Sequence, residues 1–215
     1  MGKSKNGIRP RRRESTSIYE LLTPRPANAS NRKLRLFLCG WYRHFYWKKA
    51  TDPRTRRAVE VAELYADSLV TKKEVEAARR AARAAYAELT NSRTFAVLEN
   101  AIQTTHGLPL QAAKGIALAP KPTTVGKVPC ALLREVLGEP SGLPPLEPRW
   151  LAWDGGTVPK LARAIYDGRC FADLPVLADA LEEAGCADAA MLNHCRRPGG
   201  HWLGCWVIDL VRSVD

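Results

Sequence analysis

The sequence contains no apolar run long enough to cross a lipid bilayer. Its longest apolar stretches, such as FADLPVLADALEEAG from residue 171, are interrupted by charge well before about 18 residues, the length that a spanning helix needs. It also lacks a Gly-rich phosphate loop, a nucleophile elbow and a paired-carboxylate motif. These absences exclude a transmembrane helix and leave no common catalytic motif to favour an enzyme.

Cysteine is scarce for a disulfide-stabilised protein, with six residues in a chain of 215. No N-terminal segment combines an apolar core with a small-residue cleavage site, so we expect a reducing, cytoplasmic environment. In that environment clustered thiols favour metal binding or redox chemistry over disulfides.

Acidic residues are nearly absent from the first quarter of the chain. Residues 1–57 contain 16 Lys and Arg against 3 Asp and Glu, whereas residues 58–215 contain 17 against 19. A basic arm on a near-neutral body predicts a polyanionic partner, and nucleic acid is the main candidate. Residues 1–17 are too polar and too rich in charge to form a core, which predicts a disordered basic tail.

The remaining pattern predicts a mainly α-helical protein, a helical bundle with a small C-terminal Cys/His module. We expect a helical domain over residues 18–137, a Pro-rich linker over 138–150 and the module over 151–215. Asp52 before Pro53, and Thr71 three residues before Glu74, predict two helix starts. Residues 108–124 show no firm period and are predicted to be irregular, while the segment from residue 201 fits either helix or strand.

Soft metal ligands cluster between residues 186 and 205. Cys186, Cys195, His201 and Cys205 are separated by eight, five and three residues, and this spacing can bring them to one tetrahedral ion, which predicts structural zinc. His194 is an alternative to Cys195, because adjacent side chains on a helix diverge and only one of them is expected to bind. Two other interpretations stay open: buried cysteines that only pack, and a nucleophile formed by Cys195 with His201 or His194.

The motifs NRKLRLFLC, RRAVEVAELYADSLVT, ALLREVLGEP and the long C-terminal stretch from LARAIYDG to GCWVIDL resemble a large paralogous family of uncharacterised bacterial proteins. The resemblance covers residues 31–75 and about 130–211. It implies a shared C-terminal module with all five Cys and His positions and no particular activity. LADALEEAG also resembles the YADWLEE signature of a short repeat-companion domain. The basic start and the aromatic GWYRHFYW after Cys39 depart from the family pattern.

The leading functional hypothesis is a non-enzymatic, zinc-stabilised binding protein whose basic arm contacts nucleic acid. Interleaved aromatic residues between positions 41 and 47 could stack on unpaired bases, which slightly favours RNA, although a helix core explains them as well. The alternatives are an assembly subunit that docks on an acidic protein and a Cys/His-dependent enzyme. The predicted phosphate-binding residues are Arg11, Arg12, Arg13, Lys48, Lys49, Arg54, Arg56 and Arg57.

Overall fold

The computed structural model describes residues 18–88, 102–118, 128–138 and 142–214, and it confirms the mainly α-helical prediction. The predicted tail, residues 1–17, lies outside the described residues. Within the described ranges there is no β-strand. The helices are α1 (Ile18–Leu21), α2 (Asn31–Phe45), α3 (Pro53–Ala66), α4 (Lys72–Ala87), α5 (Pro109–Leu118), α6 (Val128–Leu137), α7 (Pro148–Ala152), α8 (Thr157–Gly168), α9 (Leu174–Glu183), α10 (Ala189–Arg196) and α11 (Trp206–Val211).

The helix starts follow local side-chain chemistry. Ser30 caps α2 by accepting a hydrogen bond from a backbone N–H at 3.1 Å. Asp52 caps α3 ahead of Pro53, and Thr71 and Glu74 form the predicted capping box at the start of α4. Each of these side chains satisfies N–H groups that have no partner within the helix. The predicted helix starts at residues 53 and 72 are therefore confirmed.

The segment from residue 108 differs from its prediction, and the structure decides between the two predictions for the segment from residue 201. Residues 108–124 were expected to be irregular, but Pro109–Leu118 forms helix α5. Its Ala112 and Ala113 are buried against α2, so tertiary packing stabilises a helix that shows little periodicity of its own. At the C-terminus, the β-branched residues of Trp206–Val211 lie in a short helix rather than in a strand.

Helix α2 lies at the centre of the fold, and residues 33–42 are all buried. Leu34, Phe37 and Trp41 pack against α1, α5 and α6. Tyr42 lies in a second cluster with side chains of α3 and α4. A further core occupies the C-terminal third, from Trp150 onward. The position of Trp41 inside the protein agrees with the helical period of the aromatic residues.

A buried carboxylate on α11 neutralises two cations of α2. Asp209, whose side chain is 1% exposed, accepts hydrogen bonds from Arg32 Nη1 at 2.7 Å and from Arg32 Nη2 at 3.1 Å. Lys33 Nζ lies 3.2 Å from the same carboxylate and donates to the backbone carbonyl of Val136 at 2.9 Å. The contact joins the predicted helical domain directly to the predicted C-terminal module.

Asp67 at the end of α3 completes this network. Arg32 Nε donates to Asp67 Oδ1 at 3.0 Å, and the Tyr166 hydroxyl donates to Asp67 Oδ2 at 2.6 Å. Burial raises the pKa of Tyr166, and the hydrogen bond to Asp67 adds to this effect, so the phenol stays a donor. Arg212 Nη1 also lies 3.9 Å from Asp209 Oδ1, so three cations face the two carboxylates and the network keeps one formal positive charge.

We expect Asp209→Asn to lower the free energy of unfolding by about 3–5 kcal/mol, because Arg32 and Lys33 would stay buried without the negative charge that they share. Asp179 is the matched control, since its carboxylate pairs with Arg196 on the surface. Asp179→Asn should cost less than about 1 kcal/mol. Urea denaturation measures both costs, and equal costs for the two variants would contradict the role of Asp209.

Candidate metal centre

Four potential metal ligands meet at the junction between the two halves of the chain. Glu135 comes from α6, His194 from α10, His201 from the following loop and Cys205 from the residue before α11. One ligand-type atom of each lies within 4.8 Å of the other three. The glycines at 199–200 both have positive φ, which lets the loop turn back and return His201 to the group.

Glu135 holds the group together although its side chain is only 1% exposed. Its Oε1 lies 2.9 Å from His201 Nδ1, and its Oε2 accepts a hydrogen bond from Arg197 Nη2 at 2.6 Å. His194 Nε2 lies 3.4 Å from Oε2. Burial on its own would raise the pKa of Glu135, but the contacts with His194 and His201 outweigh it and lower the pKa to about 2. Glu135 is therefore an anion at neutral pH.

Hydrogen bonds assign the protons of the two imidazoles. The Trp206 indole N–H can only donate, and it donates to His194 Nδ1 at 3.0 Å, so the proton of a neutral His194 is on Nε2. His201 has an acceptor beside each ring nitrogen: Glu135 Oε1 at Nδ1 and the Arg197 carbonyl at Nε2, 3.2 Å away. This is the pattern of a doubly protonated imidazolium.

Two distances from His194 suit a tetrahedral ion, within a group whose ligand atoms all lie within 4.8 Å of one another. Zinc with bonds of about 2.0–2.3 Å places its ligand atoms roughly 3.3–3.8 Å apart. His194 Nε2 lies 3.3 Å from Cys205 Sγ and 3.4 Å from Glu135 Oε2, close to that range. His201 Nδ1 is nearer to Glu135, at hydrogen-bond distance, and would move outward by a few tenths of an ångström. The group can therefore hold a metal ion after a small rearrangement.

The structure brings together only two of the four predicted zinc ligands, His201 and Cys205. Cys195 is fully buried in the C-terminal core, and Cys186 Sγ packs 3.9 Å from Met191 Sδ. Burial raises the pKa of Cys195 to about 12, which makes a thiolate there unfavourable without a metal. Because adjacent residues on α10 diverge, as expected, only one of the neighbours enters the group. That neighbour is His194 and not Cys195.

Glu135 was not predicted from the sequence. It is distant in the chain from the Cys and His cluster, and only long-range packing brings it there. One signal was present: Glu135 lies three residues after Leu132, on a helix whose neighbouring apolar residues Leu132, Leu133 and Val136 are all buried. A carboxylate near a buried helical face needs an internal partner, such as a cation or a metal ion.

The predicted phosphate-binding residues lie in different environments. Lys48 and Lys49 are exposed on a one-turn 3₁₀ segment, Trp47–Lys49, and within the described ranges neither takes part in an ion pair. Three other candidates, Arg11, Arg12 and Arg13 of the predicted tail, lie outside the described residues.

The arginines of α3 already have protein partners. Arg54 Nη2 lies 2.8 Å from Asp52 and 2.7 Å from Glu88. Arg57 lies 3.9 Å from Glu60, a weaker contact on the surface. Of the two, Arg54 would have to give up existing ion pairs to bind a phosphate.

The aromatic residues of this region face mostly inward. Trp41 and Tyr42 are buried in the helical core. Trp47 is half-buried, with the Arg43 guanidinium carbon 4.1 Å and the Arg56 guanidinium carbon 5.4 Å from its ring centroid. Cations therefore already contact Trp47, which leaves little aromatic surface for base stacking.

Comparisons with protein-family models, with curated proteins and with solved structures found no match for this chain. None of the helices in the described part of the chain has the length and apolar character needed to span a membrane. The chemistry of the centre therefore has to be argued from its own residues.

The closest thiol and imidazole in the group are Cys205 and His194, at 3.3 Å. This spacing resembles that of a nucleophile and its base. However, Cys205 is fully buried, and its burial, followed by the nearby Glu135 carboxylate, raises the pKa of the thiol. A reactive cysteine needs access and a depressed pKa, and Cys205 has neither.

Thiol labelling tests this conclusion. Of the six cysteines only Cys170 is exposed, so a thiol reagent should label one equivalent per folded chain and should label Cys170→Ser negligibly. Unfolding in denaturant should release all the remaining thiols. Rapid alkylation of Cys205 in the folded protein, identified by peptide mass, would contradict the argument and favour thiol catalysis.

Proposed function

We propose that this chain is a non-enzymatic binding protein that holds one structural Zn²⁺ ion through Glu135, His194, His201 and Cys205. The observation that carries the proposal is the convergence of four potential ligands of three types, carboxylate, imidazole and thiol, within 4.8 Å in the protein interior. These ligands come from α6, α10, the following loop and the start of α11. A bound ion would therefore link the two halves of the chain.

Donor chemistry favours zinc over the other common ions. Calcium and magnesium prefer sets of oxygen ligands, whereas two imidazoles, a thiolate and one carboxylate form a mixed set that zinc accepts. Four protein ligands also leave no open position for water or substrate. A structural role follows from that closed set, and it is consistent with the burial of Glu135 and Cys205.

His201 can bind zinc with its present hydrogen bond intact, whereas His194 has to change the position of its proton. His201 would bind through Nδ1 while its Nε2–H donates to the Arg197 carbonyl, the usual support for a metal-bound histidine. His194 would bind through Nε2, which moves its proton to Nδ1, opposite the Trp206 N–H. Zinc binding therefore requires the Trp206 indole to give up this hydrogen bond.

Purified protein should contain about one equivalent of zinc, and Cys205→Ser should lose most of it because a hydroxyl is a poor zinc ligand. The control is Cys186→Ser, which also alters a buried thiol but lies outside the group. It should keep its zinc even if its thermal stability falls. Elemental analysis gives the stoichiometry, and a wild-type content below about 0.2 equivalents of any transition metal would refute the proposal.

Trp206→Phe separates a metal centre from a metal-free hydrogen-bond network. Removing the indole N–H relieves the conflict at His194 Nδ1, so we expect the variant to bind zinc at least as tightly as the wild type. In a metal-free network the same change would remove a hydrogen bond and leave a small cavity in the core, which lowers stability but creates no zinc affinity. Zinc affinity measured by competition with a chelator distinguishes the two.

Nucleic acid is a second candidate ligand, and the exposed Lys48 and Lys49 support it. The contacts that we propose are with phosphates and carry no sequence readout. Because Trp41 and Tyr42 are buried and Trp47 is in contact with arginines, base stacking, which favoured RNA, has little support from the described residues. The basic tail that contains Arg11, Arg12 and Arg13 would add further phosphate contacts.

A labelled oligonucleotide should bind with an affinity that falls steeply with salt, and Lys48→Gln/Lys49→Gln should reduce the logarithmic slope by about 2. The matched control is Lys160→Gln/Arg163→Gln, which removes two exposed cations from α8. It should leave the slope unchanged. Absence of binding at low salt would refute a nucleic-acid ligand, and binding of an acidic protein instead would support the assembly-subunit alternative.

A further inference from the structure

A small pocket of about 190 Å³ opens between α2 and the residues that follow α8. Its apolar walls include Leu36, Phe171 and Trp202. Its polar wall is formed by Arg43, Glu63 and Arg169.

The charges at the polar wall do not balance. Glu63 is buried, with 2% of its side chain exposed, and it accepts hydrogen bonds from two guanidinium groups. Arg43 Nη2 and Arg169 Nη2 both donate to Glu63 Oε2 at 2.8 Å, and Arg43 also binds the other oxygen. Two cations and one carboxylate leave one positive charge at this wall, while His201, which also lines the pocket, is paired with Glu135.

Arg169 supplies this extra charge from an unfavourable backbone conformation. It has a φ of 53°, in the left-handed region, at the position after a helix where glycine is most common. Gly168 precedes it and is itself part of α8, so the strained position is occupied by the arginine. Within the described residues, one of the five N–H donors of Arg169 binds a protein acceptor, Glu63, and 46% of the Arg169 side chain is exposed.

We propose that this pocket binds a small organic carboxylate that carries a flat apolar group. One net positive charge suits a monoanion, and the planar guanidinium of Arg169 suits the geometry of a carboxylate. Phe171 and Trp202 would contact the apolar group. The small volume limits the ligand to roughly ten non-hydrogen atoms, well below the size of a typical drug. The site does not depend on the proposed zinc ion, although His201 lies at both.

Benzoate is a suitable probe because it combines one carboxylate with one ring. We expect it to bind the full-length protein with a Kd on the order of 1 mM, as for other ligands of this size, and to shift the indole N–H resonance of Trp202. Neutral benzyl alcohol and inorganic phosphate should each bind at least about tenfold more weakly, since each lacks one of the two features that the pocket recognises.

Arg169→Gln should weaken benzoate binding by about tenfold or more, because it removes the unbalanced cation. Arg163→Gln, which removes an exposed arginine from the preceding helix, α8, should bind benzoate like the wild type. Arg169→Gly is a second test that relieves the backbone strain, so it should fold normally and still fail to bind. No benzoate binding up to about 20 mM, or binding that both Arg169 variants retain, would overturn the proposal. Phosphate binding as tight as that of benzoate would also overturn it.

Discussion

The salt bridge between Arg32 and Asp209 is the contact on which the packing of α2 depends. Residues 33–42 of that helix are all buried, so its cations need internal partners: Arg35 donates to the backbone carbonyls of Thr104 and His106, whereas Arg32 and Lys33 pair with carboxylates. Those carboxylates come from the end of α3 and from the C-terminal helix. Part of the positive charge in the first 57 residues therefore neutralises internal carboxylates. The charge count of the sequence overestimates what this region offers to an external polyanion.

A buried carboxylate that pairs with side chains from distant parts of the chain occurs three times among the described residues. Asp209, Glu63 and Glu135 are each almost completely buried, and each is contacted by side chains from separate parts of the chain. In every case the contact crosses between the N-terminal helices and the residues after α8. Removing the carboxylate from such a group leaves buried cations without their shared counter-charge, which is costly. These three carboxylates therefore connect the apolar cores, and two of them lie at the sites proposed for zinc and for an organic anion.

Interactions between residues that are close in the chain could be predicted from the sequence, and interactions between distant residues could not. The capping box at Thr71 involves neighbours three residues apart, and the sequence alone was enough to predict it. Helix α5 depends on burial against α2, which its own composition does not reveal. His194 enters the metal group instead of Cys195 because of the direction in which α10 packs. Glu135 comes from another helix altogether, so no local spacing could identify it.

The net charge of the candidate metal ligands decides whether the protein interior can accommodate them both with and without a bound ion. In the structure the Glu135 anion faces the Arg197 cation and a His201 ring with both nitrogens at acceptors, the pattern of an imidazolium. With His201 protonated on both nitrogens and Cys205 a neutral thiol, that arrangement would carry one net positive charge. A divalent ion would replace one proton of His201 and one of Cys205, because metal ligands bind in their deprotonated forms. The net charge would be unchanged, so the surrounding core need not compensate a new buried charge. The metal-free and metal-bound states would then differ chiefly in the hydrogen bond from Trp206 to His194, which only the metal-free state keeps.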